Sequence, residues 1–185
     1  MRILYATSEA DPFAKTGGLA DVSRSLPPAL AALGHDVRVV LPLYKSIDME
    51  TFALHPILTE IDVHFPDYSR RGYVQRSTFP GTTLPVYFIQ QDHYFGRDTF
   101  YGPPGHDYPD NPERFGFFSL AVLWMLKGLD WQPDVIHCND WPTALIPTYL
   151  RHHPEAGVDP FFQSVATLFT IHNLAFHGLF PGSHF

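Results

Sequence analysis

Residues 2–6 (RILYA) form a short apolar run and residues 36–41 (DVRVVL) a β-branched one; between them the glycine pair Gly17–Gly18 precedes a stretch, 19–33, apolar at helical spacing. That order predicts strand, loop, helix, strand. Gly34 stands where the helix must close, at the position where a left-handed backbone is easiest. A βαβ unit at the very start of the chain is the strongest constraint on its fold. Pro27 and Pro28 fall inside the helical stretch, where a missing N–H and a ring clash are expected to bend the helix or split it in two.

The rest of the chain extends this beginning. Three partly alternating segments, 61–65, 73–79 and 84–90, are separated by Pro and Gly turns and predict hairpin-like additions to the sheet. Residues 92–111 are rich in Gly, Pro, Asp and aromatics without periodicity, which predicts a long functional loop. A helix is expected from Pro112, capped by Asn111, with Glu113 in its first turn. Its residues Phe115, Phe118, Val122, Met125, Leu126 and Leu129 recur every three or four positions, so one face should pack on a core. Residues 134–138 (DVIHC) read as a strand, Pro142 as the opening of another helix, and 164–171 (SVATLFTI) as a strand buried on both faces. Strands alternating with helices at both ends imply an α/β fold: a Rossmann-like, doubly wound, mostly parallel sheet with an antiparallel insertion.

Composition narrows the function classes. The 185 residues suffice for one domain with a real core, and a net charge of -7 argues against a nucleic-acid surface or an anionic membrane as partner. The single cysteine, Cys138, has no intramolecular disulfide partner, and no Cys/His spacing suggests a structural zinc site. Glu9 and Asp11 interrupt the start too early for a signal peptide, and no run reaches the roughly 18 apolar residues of a membrane helix. The expectation is a reducing, cytoplasmic protein with no bound metal.

In a doubly wound sheet, ligands bind beyond the carboxyl ends of the strands. Three segments lie there: KTGGLAD at 15–21, HCNDW at 137–141 and TIHNLAFHG at 170–178. Gly17 and Gly18 at a helix start allow backbone N–H groups to approach an anion, the helix dipole favours negative charge, and Lys15 adds a full positive one. The pattern is neither a Walker A loop nor a dinucleotide fingerprint, but it suits a diphosphate. Equally, it describes a tight turn with a solvated lysine, and Asp21 a carboxylate drawn to the helix start. Asn139 and Asp140 could grip sugar hydroxyls beside the Trp141 platform, or Asp140 could simply cap the next helix. His172 and Asn173 emerge from a strand end, where a histidine is often only a satisfied structural residue. No nucleophile elbow is present.

Taken together, KTGGLADV at 15–22, HCNDW and TIHNLAFHG resemble, in order and approximate spacing, the amino-terminal half of bacterial glycogen synthases and plant starch synthases. The segments SEADPF at 8–13 and YGPPGHDYPDNPERF at 101–115 are similar to the same family, so the resemblance spans nearly the whole chain. It implies the amino-terminal domain of a retaining GT-B glycosyltransferase, which moves glucose from ADP-glucose to the 4-hydroxyl of an α-1,4-glucan and needs no cofactor or metal. By that resemblance Lys15, Gly17 and Gly18 meet the donor diphosphate, Asp21 and His172 line the glucosyl pocket, and Tyr101, Asn139, Asp140 and Asn173 bind substrate in or near the cleft. A family member should continue beyond residue 185 into a second domain that reads the adenine. Residues 1–185 are therefore expected to be an incomplete, inactive part of the enzyme. Two alternatives remain open at this point: a GT-B transferase using UDP-glucose, and a non-catalytic glucan-binding α/β module.

Overall fold

The opening unit forms as its pattern dictates. In the computed structural model, which describes residues 1–65 and 67–180, strand β1 is Arg2–Ala6, helix α1 is Gly18–Ala32 and strand β2 is Asp36–Pro42. The two strands run parallel, from Arg2 opposite Asp36 to Ala6 opposite Val40. Gly34 turns the chain out of α1 with φ +89°, a conformation that disfavours any residue with a Cβ. The two prolines do not split α1, which is one helix with Pro27 buried inside it. They free the carbonyls four residues back, at Ser23 and Arg24, and the packing of Ala20, Ser23 and Pro27 against the domain outweighs that loss.

Five further strands complete the sheet: β3 His55–His64, β4 Ser69–Thr78, β5 Pro85–Gln90, β6 Val135–Asn139 and β7 Ala166–Thr170. Their order is β3-β4-β5-β2-β1-β6-β7. Strands β5, β2, β1, β6 and β7 are mutually parallel, whereas β4 pairs antiparallel with both β3 and β5. The chain thus builds outward from β1 through β2 to β5, then returns to place β6 on the other flank of β1. The strand order reverses between β1 and β6, and a crevice opens there beyond the carboxyl ends of the strands.

Several local expectations shift. The segment 92–111 is not all loop, because Asp92–Phe95 forms one short helical turn, α2, capped by the Gln91 side chain. Helix α3 spans Asn111–Gly128, so its cap position falls on Asp110 rather than Asn111, and no side chain caps it. Asn111 lies inside the helix and buried, its amide donating to the Tyr101 carbonyl and accepting from Arg114. Helix α3 is not one-faced either: from Asn111 to Leu126 only Pro112, Glu113 and Trp124 escape full burial. It is enclosed by β3, β4 and β5 on one side and by α4, Leu145–His152, on the other. Pro142 sits in a single 3-10 turn, Trp141–Thr143, and does not itself open α4.

Strand β7 departs furthest from its sequence. Its apolar run predicts cover on both faces, yet every residue from Ala166 to Phe169 is exposed, Leu168 at 51%. It is the edge strand of the sheet, and among the described residues no helix lies over it.

Candidate functional site

The crevice at the reversal point is a cleft of about 660 Å³. Its first wall comes from β1. The chain leaves Ala6 through Thr7 and Ser8 to Glu9, which is only 4% exposed. The Glu9 carboxylate accepts the Thr16 N–H at 2.6 Å, the Thr16 hydroxyl at 2.6 Å, the Gly17 N–H at 3.2 Å and the Tyr101 hydroxyl at 2.7 Å. Burial pushes the Tyr101 phenol well above its ordinary range, so it stays protonated and donates to Glu9. With that one proton committed, the contact of 2.8 Å from Ser8 Oγ must be a donation to the Tyr101 oxygen.

Tyr101 belongs to a loop that two arginines organise. Arg97 grips Asp110 with both terminal nitrogens, at 2.8 and 2.5 Å, across the loop between α2 and α3. Arg114 is fully buried and donates to the carbonyls of Tyr94 (2.8 Å) and Phe100 (3.0 Å) and to Asn111 Oδ1 (2.6 Å). No carboxylate touches it among the described residues, and burial lowers its pKa. The loop owes its shape to those bonds.

The second wall comes from β6 and β7. Asn139, fully buried, donates to the carbonyls of Ala6 and His137 and so ties β6 to β1. Its amide nitrogen is thereby committed, and its oxygen faces His172 Nε2 at 2.9 Å, which must carry the proton. Asn139 therefore positions the His172 ring and does not line the cleft itself. Asp140 is not the cap its position suggested: no side-chain bond caps the 3-10 turn, and its carboxylate accepts the His172 N–H at 2.7 Å. Its backbone, at φ +57° and ψ 178°, lies in a region almost reserved for glycine, a strain worth about 1–3 kcal/mol that the surrounding bonds sustain. Trp141 packs edge-on against Phe115 and lies under Gly178, where a Cβ would come within 2.8 Å of the indole side chain. That approach explains the glycine in the third motif. Asp140, Trp141, His172 and Asn173 all line the cleft.

Lys15 and Asp21 lie outside this lining, on either side of residues that form it. They bind each other, Nζ to Oδ1 at 2.5 Å, each about half exposed, and this bond raises the Lys15 pKa. The glycine pair divides. Gly17 gives its N–H to Glu9, whereas among the described residues no acceptor reaches the N–H of Gly18. The lining holds Glu9, Asp107 and Asp140 but, among its described residues, neither lysine nor arginine. Such an interior suits hydroxyl groups, and an anion finds positive charge only at the rim. Burial drives the Cys138 thiol to about 12, which leaves it inert, and among the described residues no group of three His, Cys, Asp or Glu could hold a metal. No helix among them is long and apolar enough to cross a membrane.

The sequence missed Glu9, Asp107 and Arg114. Glu9 had a signal, since an acid three residues beyond the first strand of a doubly wound sheet lies where ligands bind. Arg114 had none.

The sheet order, the reversal-point cleft and its polar lining define a Rossmann-like α/β ligand-binding domain of the GT-B kind. Within that class, residues 2–185 match the starch synthase catalytic domain, and the chain belongs to that family. Glycogen synthase 2 of Geobacter sulfurreducens is 47% identical over 181 residues, covering 98% of this chain and 37% of that protein. The glycogen synthase of Moorella thermoacetica is 43% identical over 182 residues, covering 98% and 35%. The solved catalytic domain of starch synthase IV from Arabidopsis thaliana, bound to ADP and acarbose, superposes with a TM-score of 0.79 at 32% identity over 94% of this chain and 34% of that one. The chain thus spans little more than a third of the length of these relatives.

Proposed function

We propose that the chain is the amino-terminal, donor- and glucan-facing part of a retaining glucan synthase that transfers glucose from ADP-glucose to the 4-hydroxyl of an α-1,4-glucan in the cytoplasm. The observation that carries this reading is one cleft with two chemistries. Its rim offers Lys15 and the Gly18 N–H at the start of α1, and its interior offers the Asp107 and Asp140 carboxylates, an amide, two histidines and Trp141. A diphosphate suits the first set, and glucosyl units suit the second. The starch synthase IV neighbour, solved with ADP and acarbose, supports the pairing.

In this reading Lys15 exchanges Asp21 for the donor diphosphate, which frees the Asp21 carboxylate for the glucosyl hydroxyls. His172, held by Asn139 and Asp140, presents a fixed dipole to the positive charge that develops at the anomeric carbon. Tyr101, Asp140 and Asn173 complete the sugar side. The nucleotide base is read by a second domain beyond residue 185. The exposed apolar residues of β7, and the third of the relatives' length that the chain spans, support that continuation.

The test is incorporation of radiolabelled glucose into glycogen by the full-length protein, with ADP-glucose and UDP-glucose as parallel donors. Transfer from ADP-glucose is expected, with none from residues 1–185 alone, because preorganised catalysis needs both walls of a closed cleft. Preference for UDP-glucose would overturn the donor assignment, and glycogen binding without transfer from either donor would leave a glucan-binding module.

A further inference from the structure

Glu9 has no role in the function proposed above, yet it is the most heavily engaged side chain of the cleft. We propose that Glu9 is the positioning residue of the donor-binding turn: its carboxylate fixes Thr16 and Gly17 from inside, so that the donor diphosphate is left to Lys15 and to the N–H groups that follow, beginning with Gly18, and through Tyr101 it couples the turn to the loop between α2 and α3. The proposal rests on the ADP-glucose reading for the identity of the ligand, but not for the geometry.

Glu9 is a buried carboxylate with no lysine or arginine partner among the described residues. Its charge is held by two backbone N–H groups, two hydroxyl groups and the positive end of the 15-residue helix α1. Those N–H groups include the one, at Gly17, that the glycine pair would otherwise offer first to a phosphate. With Glu9 on them, a second anion at the same place would meet a fixed negative charge in a poorly solvated wall. The diphosphate is thereby directed outward, to the Gly18 N–H and Lys15. Glu9 also reaches the loop between α2 and α3 through Tyr101, whose carbonyl is held by Asn111 and whose loop is held by Arg114. A shift of the Glu9 carboxylate therefore moves both the turn and that loop.

The experiment compares Glu9→Gln, Tyr101→Phe and the double variant with the parent in the full-length protein, by calorimetric titration with ADP and with ADP-glucose and by the apparent KM for glycogen. Gln keeps the shape but presents an NH2 group to donors that need an acceptor. Glu9→Gln is expected to weaken ADP and ADP-glucose by the same factor, roughly tenfold, with the glycogen KM nearly unchanged. Tyr101→Phe should act in the same direction but less, and the two should combine less than additively. Weakening of ADP-glucose with ADP unaffected would overturn the proposal in favour of a direct contact between Glu9 and the sugar. Unchanged affinity for both would reduce Glu9 to a folding residue. A parent that binds neither ligand would instead sink the proposed function. Glu9 is then judged by amide exchange at Thr16 and Gly17, which the proposal expects to accelerate in Glu9→Gln, and unchanged exchange would overturn it. Should Glu9→Gln fail to fold, Tyr101→Phe alone carries the ADP comparison and the exchange measurement, with the same outcomes deciding.

Discussion

The wall of the cleft next to β1 and the wall next to β7 face the same space and are made in opposite ways. On the β1 side, Glu9, Tyr101, Asn111 and Arg114 are tied to one another or to backbone groups by bonds that all lie within residues 1–180. On the β7 side, Leu168, Phe169, Ile171, Leu174, Phe176 and Leu179 are exposed, up to 83%. A soluble surface rarely carries so many large apolar side chains along one edge unless another surface covers them. The first wall is therefore finished by its own polar chemistry, and the second calls for a neighbour.

The largest effect should come from attacking the finished wall at its centre. Arg114→Met removes three charge-assisted bonds and leaves the carbonyls of Tyr94 and Phe100 without their donor, at a cost of about 2–4 kcal/mol in urea unfolding after the relief of burying the charge. A cost below about 1 kcal/mol would mean that aromatic packing, not the guanidinium, shapes the loop.

Next in size is a change in binding without a change in stability. Lys15→Gln in the full-length protein should weaken ADP and ADP-glucose by about 1.5–3 kcal/mol, with Lys15→Arg recovering only part of the loss. Thermal stability should hardly move, since the Lys15–Asp21 pair is exposed. Unaltered ADP affinity would make Lys15 a solvated turn residue and leave the rim without its cation.

The smallest effect sharpens the contrast most directly. Leu168→Ser should cost less than about 0.5 kcal/mol in residues 1–185, where the side chain is already wet, but about 1–2 kcal/mol in the full-length protein, where a covered leucine loses its apolar burial. Equal small costs in both would show that nothing covers β7.

The same contrast explains what could be read in the residues beforehand. Strands β1 and β2, helix α1 and the turn at Gly34 follow from apolar periodicity and one glycine, all of which are local. The three site segments were legible because a doubly wound sheet puts its ligands at strand ends, and Asp140, Trp141, His172 and Asn173 do meet in one cleft. The exposure of β7 was not legible, because an apolar run states that a strand prefers cover and not whether cover is present. The full enclosure of α3 escaped for a related reason: its periodicity marks one face, while the second is covered by β-strands distant in sequence.

What the sequence by itself determined is the sheet-building pattern, the glycine turn and the place where chemistry should sit. Only the tertiary structure decided that Gly17 serves Glu9 while Gly18 meets no acceptor among the described residues, that Asn139 stands behind His172, and that Asp140 binds a backbone N–H from a backbone strained toward a glycine conformation. The Tyr101–Glu9 bond joins residues 92 positions apart, and Asn139–Ala6 spans 133. Hydrophobic burial repeats along an element and leaves a period in the sequence, whereas a buried polar bond is satisfied once, by whichever partner the fold brings within about 3 Å, and leaves none.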